Sequence, residues 1–229
     1  MNRTLRISLV TETFFPQVNG VSRTLERLVD YCSSCGDRMQ LLTPRYRQEP
    51  PKLHRCVERV DWWSVSLPFY PEVVLPVVTT GTVANALARF QPDLVHIATE
   101  GPLGRAALLA CRRLGLPVVS SYHTNFAQYL NLYRAGFFAP VCWRYLRWFH
   151  NATRVTFCPA PSIRNTLQER GFRNVDVWSR GVDRFRYSPT KRDDNLRESL
   201  GVGPDEIVMI YVGRLAAEKN LELLMEAWH

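Results

Sequence analysis

An α/β fold with a doubly wound parallel sheet is what this 229-residue sequence predicts, and three observations carry that prediction. Short apolar runs alternate along the chain with stretches whose apolar residues recur at helical spacing. Most of the runs are continuous rather than alternating, as in strands covered on both faces. Gly closes several of the helical stretches, so the repeating unit reads strand, turn, helix.

Taken in order, Arg6–Val10 is the first strand and Thr11–Gly20, which contains Pro16, is a loop. Val21, Leu25, Leu28, Val29 and Cys32 share one helical face, and Gly36 closes that helix. Arg38–Leu42 is the second strand, ended by Thr43 and Pro44. Arg45–Arg59 is polar, carries Pro50 and Pro51, and reads as an exposed loop. Trp63–Leu67 alternates like a strand, after which Pro68, Pro71 and Pro76 lead into a helix near Val77–Phe90. Strands follow at Leu94–Ala98, Val118–Tyr122, Arg154–Cys158 and Val175–Trp178. Helices follow at Pro102–Leu114, Phe126–Arg134, Val141–His150 and Ser162–Arg170, the last closed by Gly171.

The rhythm breaks at Gly181–Thr190. One short helix around Leu196 and Leu200 ends at Gly201; the apolar run Ile207–Val212 then opens a new strand, and Leu221, Leu224, Met225 and Trp228 mark a new helix. The expected organisation is a first domain over residues 1–180, a linker with a short helix over 181–204, and the first strand and helix of a truncated second α/β domain over 205–229. One strand and one helix cannot bury a core of their own, so the rest of that domain is expected to be missing from the chain.

No apolar run approaches the roughly 18–20 residues that span a bilayer, and Ile7–Val10 is too short for the apolar region of a signal peptide. A soluble, cytosolic protein is expected. Cys32 and Cys35 form a C-x-x-C, but Cys56, Cys111, Cys142 and Cys158 offer no second pair, and Cys32 continues the apolar face of its helix, which favours a core role. The formal net charge of +8 comes from 26 arginines and three lysines. No acidic residue falls between Glu100 and Glu169, whereas eight arginines do. Such a one-sided field suits a phospholipid surface, a phosphorylated lipid or sugar, or nucleic acid; biased genome composition would leave the same arginines without a partner. Within that interval, Trp143–His150 reads either as a helix at a membrane surface or as a core helix with snorkelling Arg144 and Arg147.

Ligands of a doubly wound sheet bind at the carboxyl ends of its strands, which directs attention to Thr11–Gly20, Thr99–Gly104, His123–Asn125 and Gly213–Asn220. Neither G-x-G-x-x-G nor G-x-x-x-x-G-K-[ST] follows the first strand, which counts against a dehydrogenase or a nucleoside triphosphatase. Gly20, where a helix begins, permits close backbone approach to a phosphate or sugar, or merely a strand-to-helix turn. Gly213, Arg214 and Lys219, between a strand and a helix, are a phosphate loop or a solvated one. His123 directly follows a strand and is either functional or a structural hydrogen-bonding residue; Glu100 leads either an acceptor-side segment or a helix entry with Pro102 in its first turn. With no Ser-His-Asp order, no H-E-x-x-H and no carboxylate cluster, neither a covalent nucleophile nor a bound metal is expected.

Four segments taken together carry a resemblance: Phe14-Phe15-Pro-Gln-Val-Asn-Gly-Val21, His123-Thr-Asn-Phe126, Ser179-Arg-Gly-Val-Asp183 and Tyr211-Val-Gly-Arg-Leu-Ala-Ala-Glu-Lys-Asn220. In order and spacing they resemble the retaining GT-B glycosyltransferases of the group 1, family-4 type, and are most similar to bacterial nucleotide-sugar-dependent α-mannosyltransferases. The resemblance implies a Rossmann-like acceptor-side domain followed by the start of a donor-binding domain. It implies that Gly20, Arg214 and Lys219 face the donor diphosphate, the two cations neutralising it as it leaves. It places His123 beside the transferred sugar and Asn19, Asn125 and Glu100 in the loops around acceptor and donor. The donor would be a GDP- or UDP-sugar, the acceptor a lipid or glycan, with no metal or other cofactor and no nucleic acid. In retaining members the acceptor attacks on the face that the leaving group vacates, with the departing phosphate as base. Two departures stand out: Arg180 occupies the family's asparagine position in the interdomain Asn-Gly-Val-Asp, and the family's paired glutamates belong to the part expected to be missing.

The expectation is therefore a retaining hexosyltransferase for mannose or glucose, inactive as an isolated chain. It would be cytoplasmic, with peripheral contact to an anionic inner-membrane face through Trp143–His150. The alternative is a non-catalytic acceptor- or membrane-binding module that needs a separate donor-binding domain.

Overall fold

Strands are numbered in chain order: β1 (Arg6–Val10), β2 (Arg38–Pro44), β3 (Val57–Trp62), β4 (Ser64–Leu67), β5 (Tyr70–Pro76), β6 (Leu94–Ile97), β7 (Val118–Ser121), β8 (Thr156–Cys158) and β9 (Val175–Val177). Seven of them form one parallel sheet in the order β3-β2-β1-β6-β7-β8-β9, while β4 and β5 pair antiparallel as a separate hairpin. The structure, a computed structural model, describes residues 4–49, 52–67, 70–123, 136–203, 205–213, 215 and 220–227. The helices are α1 (Gly20–Ser34), α2 (Thr80–Phe90), α3 (Pro102–Leu114), α4 (Ala139–His150), α5 (Pro161–Glu169), α6 (Asp194–Ser199) and α7 (Leu221–Glu226).

The chain winds outward from β1 through β2 to β3, then returns and starts again at β6 on the other side of β1. Ile7 of β1 lies beside Met39 on one flank and Leu94 on the other. The point where the order reverses, between β1 and β6, is where such sheets open a crevice at their carboxyl ends.

Continuous apolar strands serve both faces because successive side chains point to opposite sides. Leu9 and Leu41 pack with Leu25, Val29 and Cys32 of α1, while Val10 and Leu42 pack with Val83 and Leu87 of α2 and Leu103, Ala107 and Cys111 of α3. A third cluster joins Leu146 of α4 and Leu167 of α5 to Tyr122, Cys158, Phe172 and Val175. Cys32 is thus a core residue, and burial pushes its thiol up to about 11, the opposite of what a redox thiolate needs. The helix ends follow the expected chemistry. Asn19 caps α1, Thr79 and Thr82 form a capping box on α2, and Pro102 sits in the first turn of α3. Gly36, Gly115 and Gly171 follow α1, α3 and α5 with φ of +82°, +67° and +81°.

Three expectations are corrected. The polar segment Arg45–Arg59 is not loop to its end, because Val57–Trp62 forms the edge strand β3 against β2. An edge strand is covered incompletely, and its mixed Val-Glu-Arg-Val-Asp-Trp pattern hides it from a search for apolar runs. The proline-punctuated approach to α2 is instead β5, tolerated because both strands of a two-stranded hairpin are edges, where a missing N–H need not break a ladder. The apolar run Ile207–Val212 forms no strand, and Ile207, Ile210 and Val212 are more than four-fifths exposed. A strand needs a ladder partner, and among the described residues this run pairs with none. The helix expected at Phe126–Arg134 lies outside the described residues.

Candidate active site

The loops that leave β1 and β6 meet at the switch point, and Glu12 ties them together. Its carboxylate accepts the Leu103 and Gly104 N–H groups of α3 at 2.7 and 3.0 Å and the Thr99 hydroxyl. Its own N–H donates to Thr99 Oγ1 at 2.8 Å, and its carbonyl accepts the Tyr46 hydroxyl at 3.0 Å. A carboxylate at the positive end of α3 is favourably placed. The close fit needs glycine at both neighbouring positions: a Cβ on Gly101 would lie 2.7 Å from Glu12 Oε1, and one on Gly104 would collide with the Thr99 carbonyl. Burial pushes the Glu12 carboxyl up to about 7, the Gly104 and Leu103 amides pulling the other way.

A raised folded pKa favours the protonated form, so its contribution to stability is fully present below the unfolded value of 4.5 and is lost as pH rises through about 7. The shift corresponds to about 3 kcal/mol across that window. Glu12→Gln, which keeps a neutral acceptor, is therefore expected to gain stability relative to the parent as pH rises from 5 to 8, read by urea melts at each pH. A difference that stays constant across the series would rule out titration of Glu12 in this range.

The second wall is the start of α1. Asn19 Oδ1 accepts the Val21 and Ser22 N–H groups, both at 2.9 Å, and Asn19 Nδ2 donates to Thr13 Oγ1 at 2.7 Å. The asparagine thereby shapes the loop with its own side chain. Gly20 opens the helix, and the Arg180 guanidinium lies over it: a Cβ on Gly20 would stand 2.9 Å from Arg180 Nη1. Arg27 holds the same segment by donating to the Gly181 carbonyl at 3.3 Å. A guanidinium beside a helix N-terminus makes this corner strongly attractive to an anion.

His123 follows β7 into this corner. Its ring lies 6.0 Å from that of Trp178, and its buried Nε2 has no hydrogen-bond partner among the described residues. Burial, reinforced by the Arg180 guanidinium, lowers its pKa to about 3, so the imidazole is neutral at physiological pH. His96 on β6 is also neutral, lowered to about 4 by burial, and is bonded to Ser121 Oγ at 2.7 Å.

Glu100 faces inward as well as outward. Its backbone turn, with Gly101, Pro102, Arg105, Thr79, Thr80 and Tyr145, lines a cleft of about 570 Å³. Its carboxylate is turned away from solvent and accepts from His150 Nε2 at 3.0 Å, while His150 Nδ1 meets Ser120 Oγ at 2.8 Å. The Tyr145 hydroxyl donates to the Glu100 carbonyl at 2.6 Å. This buried chain anchors the cleft wall to α4.

Of the residues singled out in the sequence, Asn19, Gly20, His123 and Glu100 are all placed at the carboxyl edge of the sheet. Asn125, Arg214 and Lys219 lie outside the described residues. Sequence reasoning gave no role to Glu12, named Thr99 and His150 only as ends of longer segments, and noted Arg180 only as a departure. A carboxylate immediately past a buried strand was a usable signal for Glu12. His150 offered none, because its partner is 50 residues away in the chain.

A parallel sheet wound in both directions, with a guanidinium beside a helix N-terminus and an open cleft at its carboxyl edge, defines a doubly wound α/β domain. The family described as Glycosyltransferase Family 4 matches residues 18–186, and the chain belongs to that family. A GDP-mannose-dependent alpha-mannosyltransferase of Mycobacterium tuberculosis is 32% identical over 222 residues, covering 96% of this chain and 58% of that protein. An alpha-monoglucosyldiacylglycerol synthase of Streptococcus pneumoniae is 26% identical over 237 residues, covering 98% of this chain and 52% of that protein. Among solved structures, sucrose-phosphate synthase from Thermosynechococcus elongatus superposes with a TM-score of 0.69 at 15% identity, covering 99% of this chain and 59% of that one, a likeness of fold. The chain thus spans a little over half the length of these proteins.

Proposed function

We propose that this chain supplies the acceptor-side half of a retaining glycosyltransferase that moves a hexose, mannose or glucose, from a GDP- or UDP-sugar to a lipid acceptor. One observation carries the reading: the guanidinium of Arg180 lies over Gly20 at the start of α1, and its charge bears on the neutral, half-buried His123, at the carboxyl edge of the sheet. That corner suits a sugar linked to a diphosphate. A neutral imidazole hydrogen-bonds a sugar hydroxyl without adding charge beside an oxocarbenium-like centre, while the nearby cation and helix terminus favour the phosphate. Arg214 and Lys219 are proposed as the further cations that receive the departing diphosphate, and the cleft beside Glu100 as the acceptor's place. The GDP-mannose in the name of the mannosyltransferase relative and the glucosyldiacylglycerol in that of the synthase support a GDP-sugar donor and a lipid acceptor.

Among the described residues no three His, Cys, Asp or Glu side chains form a metal-binding group. A reaction without a metal remains the proposal, and transfer that survives EDTA would support it. No helix of the described residues is long and apolar enough to cross a membrane. Contact with a lipid surface is proposed through the outward side of α4. Of the aromatic segment Trp143–His150, Leu146, Phe149 and His150 are buried, leaving Arg144, Arg147 and Trp148 outward, with Val141, Phe137 and Phe138 exposed nearby.

The test is sugar transfer by residues 1–229 joined to the donor half of a family-4 relative, with GDP-mannose and UDP-glucose offered against a diacylglycerol acceptor. Calorimetry of the 229-residue chain with the same donors runs beside it. Transfer by the joined protein supports the reading. A joined protein that binds acceptor vesicles but neither binds nor transfers sugar would point to a non-catalytic module instead.

A further inference from the structure

At the opposite edge of the sheet from this crevice, the end of α3, the end of α4 and the segments entering β8 and β9 enclose a groove of about 380 Å³. Four arginines line it (Arg112, Arg144, Arg147 and Arg173), together with Trp148 and Asn151. We propose that this groove is a binding site for a phosphate group, distinct from the transfer site.

Three independent observations point there. First, none of the four guanidinium groups forms an ion pair among the described residues, so their charge is uncompensated within one small concavity. The absence of any acidic residue between Glu100 and Glu169 keeps that field undiluted along α3 and α4. Second, the groove has a fixed floor. Asn151 donates to the Gly171 carbonyl at 3.0 Å and accepts from the Arg173 N–H at 2.7 Å. Arg147 donates to the Arg170 carbonyl at 3.3 Å, and Arg112 stacks 5.6 Å above the Trp148 ring. Guanidinium groups held in this way lose less freedom when they bind an anion. Third, the arginines exceed what the helices need. Arg112 and Arg147 stand in the last turns of α3 and α4, where positive side chains complement the helix dipole. Arg144 and Arg173 do not, yet the fold brings both to the same groove. Planar donor forks lining one groove suit the oxygens of a phosphate.

The phosphate could be carried by a soluble ligand or by a lipid headgroup; the second case would deepen the surface contact proposed for α4, and neither depends on sugar transfer. Pyrophosphate and vesicles of phosphatidylglycerol in phosphatidylcholine are the two probes, applied to the 229-residue chain. The expected result is saturable binding of at least one probe, weakened at least tenfold in Arg144→Gln/Arg173→Gln and unchanged in Arg38→Gln/Arg55→Gln, which removes the same charge from exposed positions elsewhere. Loss of pyrophosphate binding assigns a soluble ligand, and loss confined to vesicles assigns a headgroup. Equal weakening by both double variants would show a general charge effect and overturn the site. So would vesicle binding that both variants retain, although surface contact would then stand, and so would no binding of either probe. Melting temperatures within a few degrees of the parent confirm that the variants are folded.

Discussion

His150→Ala is expected to cost about 3–5 kcal/mol of stability, measured by urea unfolding at pH 7. The imidazole is fully buried, with Nε2 at 3.0 Å from Glu100 Oε1 and Nδ1 at 2.8 Å from Ser120 Oγ. Its ring also packs against Phe149, Tyr122 and Phe172, with centroids 5.2 to 5.8 Å away. Truncation opens a cavity among these rings and strands the Glu100 carboxylate, itself 6% exposed, without its partner. The two costs can be separated. Glu100→Leu combined with His150→Phe removes both polar partners and fills their space with apolar atoms, and should recover much of the loss, since a buried pair replaced by apolar residues is often neutral. If His150→Ala alone cost less than about 1 kcal/mol, the chain from Ser120 through His150 to Glu100 would not be what holds the cleft wall.

Arg214→Ala is expected to lower kcat by about 10²–10³ in the joined protein, with Lys219→Ala following the same pattern, because in the proposed role each supplies charge chiefly as the diphosphate departs. A smaller change in KM would locate the effect in the transition state rather than in donor binding. Arg180 supplies the internal comparison. It lies over Gly20 in the described structure, whereas the roles of Arg214 and Lys219 rest on their match to the family motif. Should Arg180→Asn cost more than Arg214→Ala, the guanidinium at the crossing would have taken over the phosphate role. Unchanged turnover in both Arg214→Ala and Lys219→Ala would refute the assignment of that loop.

Much of the architecture was legible in the chain because buried parallel strands leave a strong local mark. Leu9 and Val10 must both be apolar since each faces a different helix layer. Helix entries and stops were equally plain: Pro102, Gly36 and Gly171 act through neighbours a few residues away, whereas the capping role of Asn19 appeared only in the structure. The failures share a cause. The edge strand β3 and the hairpin strand β5 are defined by what they pair with, and the exposed run Ile207–Val212 by what it does not. An apolar run states a preference for burial; it does not say whether a partner is present.

The site divides along the same line. By itself the sequence determined that Asn19, Gly20, Glu100 and His123 follow strand ends, and hence that they share one edge of the sheet, because direction in a parallel sheet sets which loops lie together. It determined the excess of arginine and the family motifs as well. Only the tertiary structure decided that Glu12 clasps the start of α3, that His150 reaches Glu100 and that Arg180 lies over Gly20. It alone gathered Arg112, Arg144, Arg147 and Arg173 into one groove at the far edge. These contacts join residues tens of positions apart, where spacing carries no signal. Their energies depend on burial and on donor geometry, and both exist only once the sheet has brought the loops together.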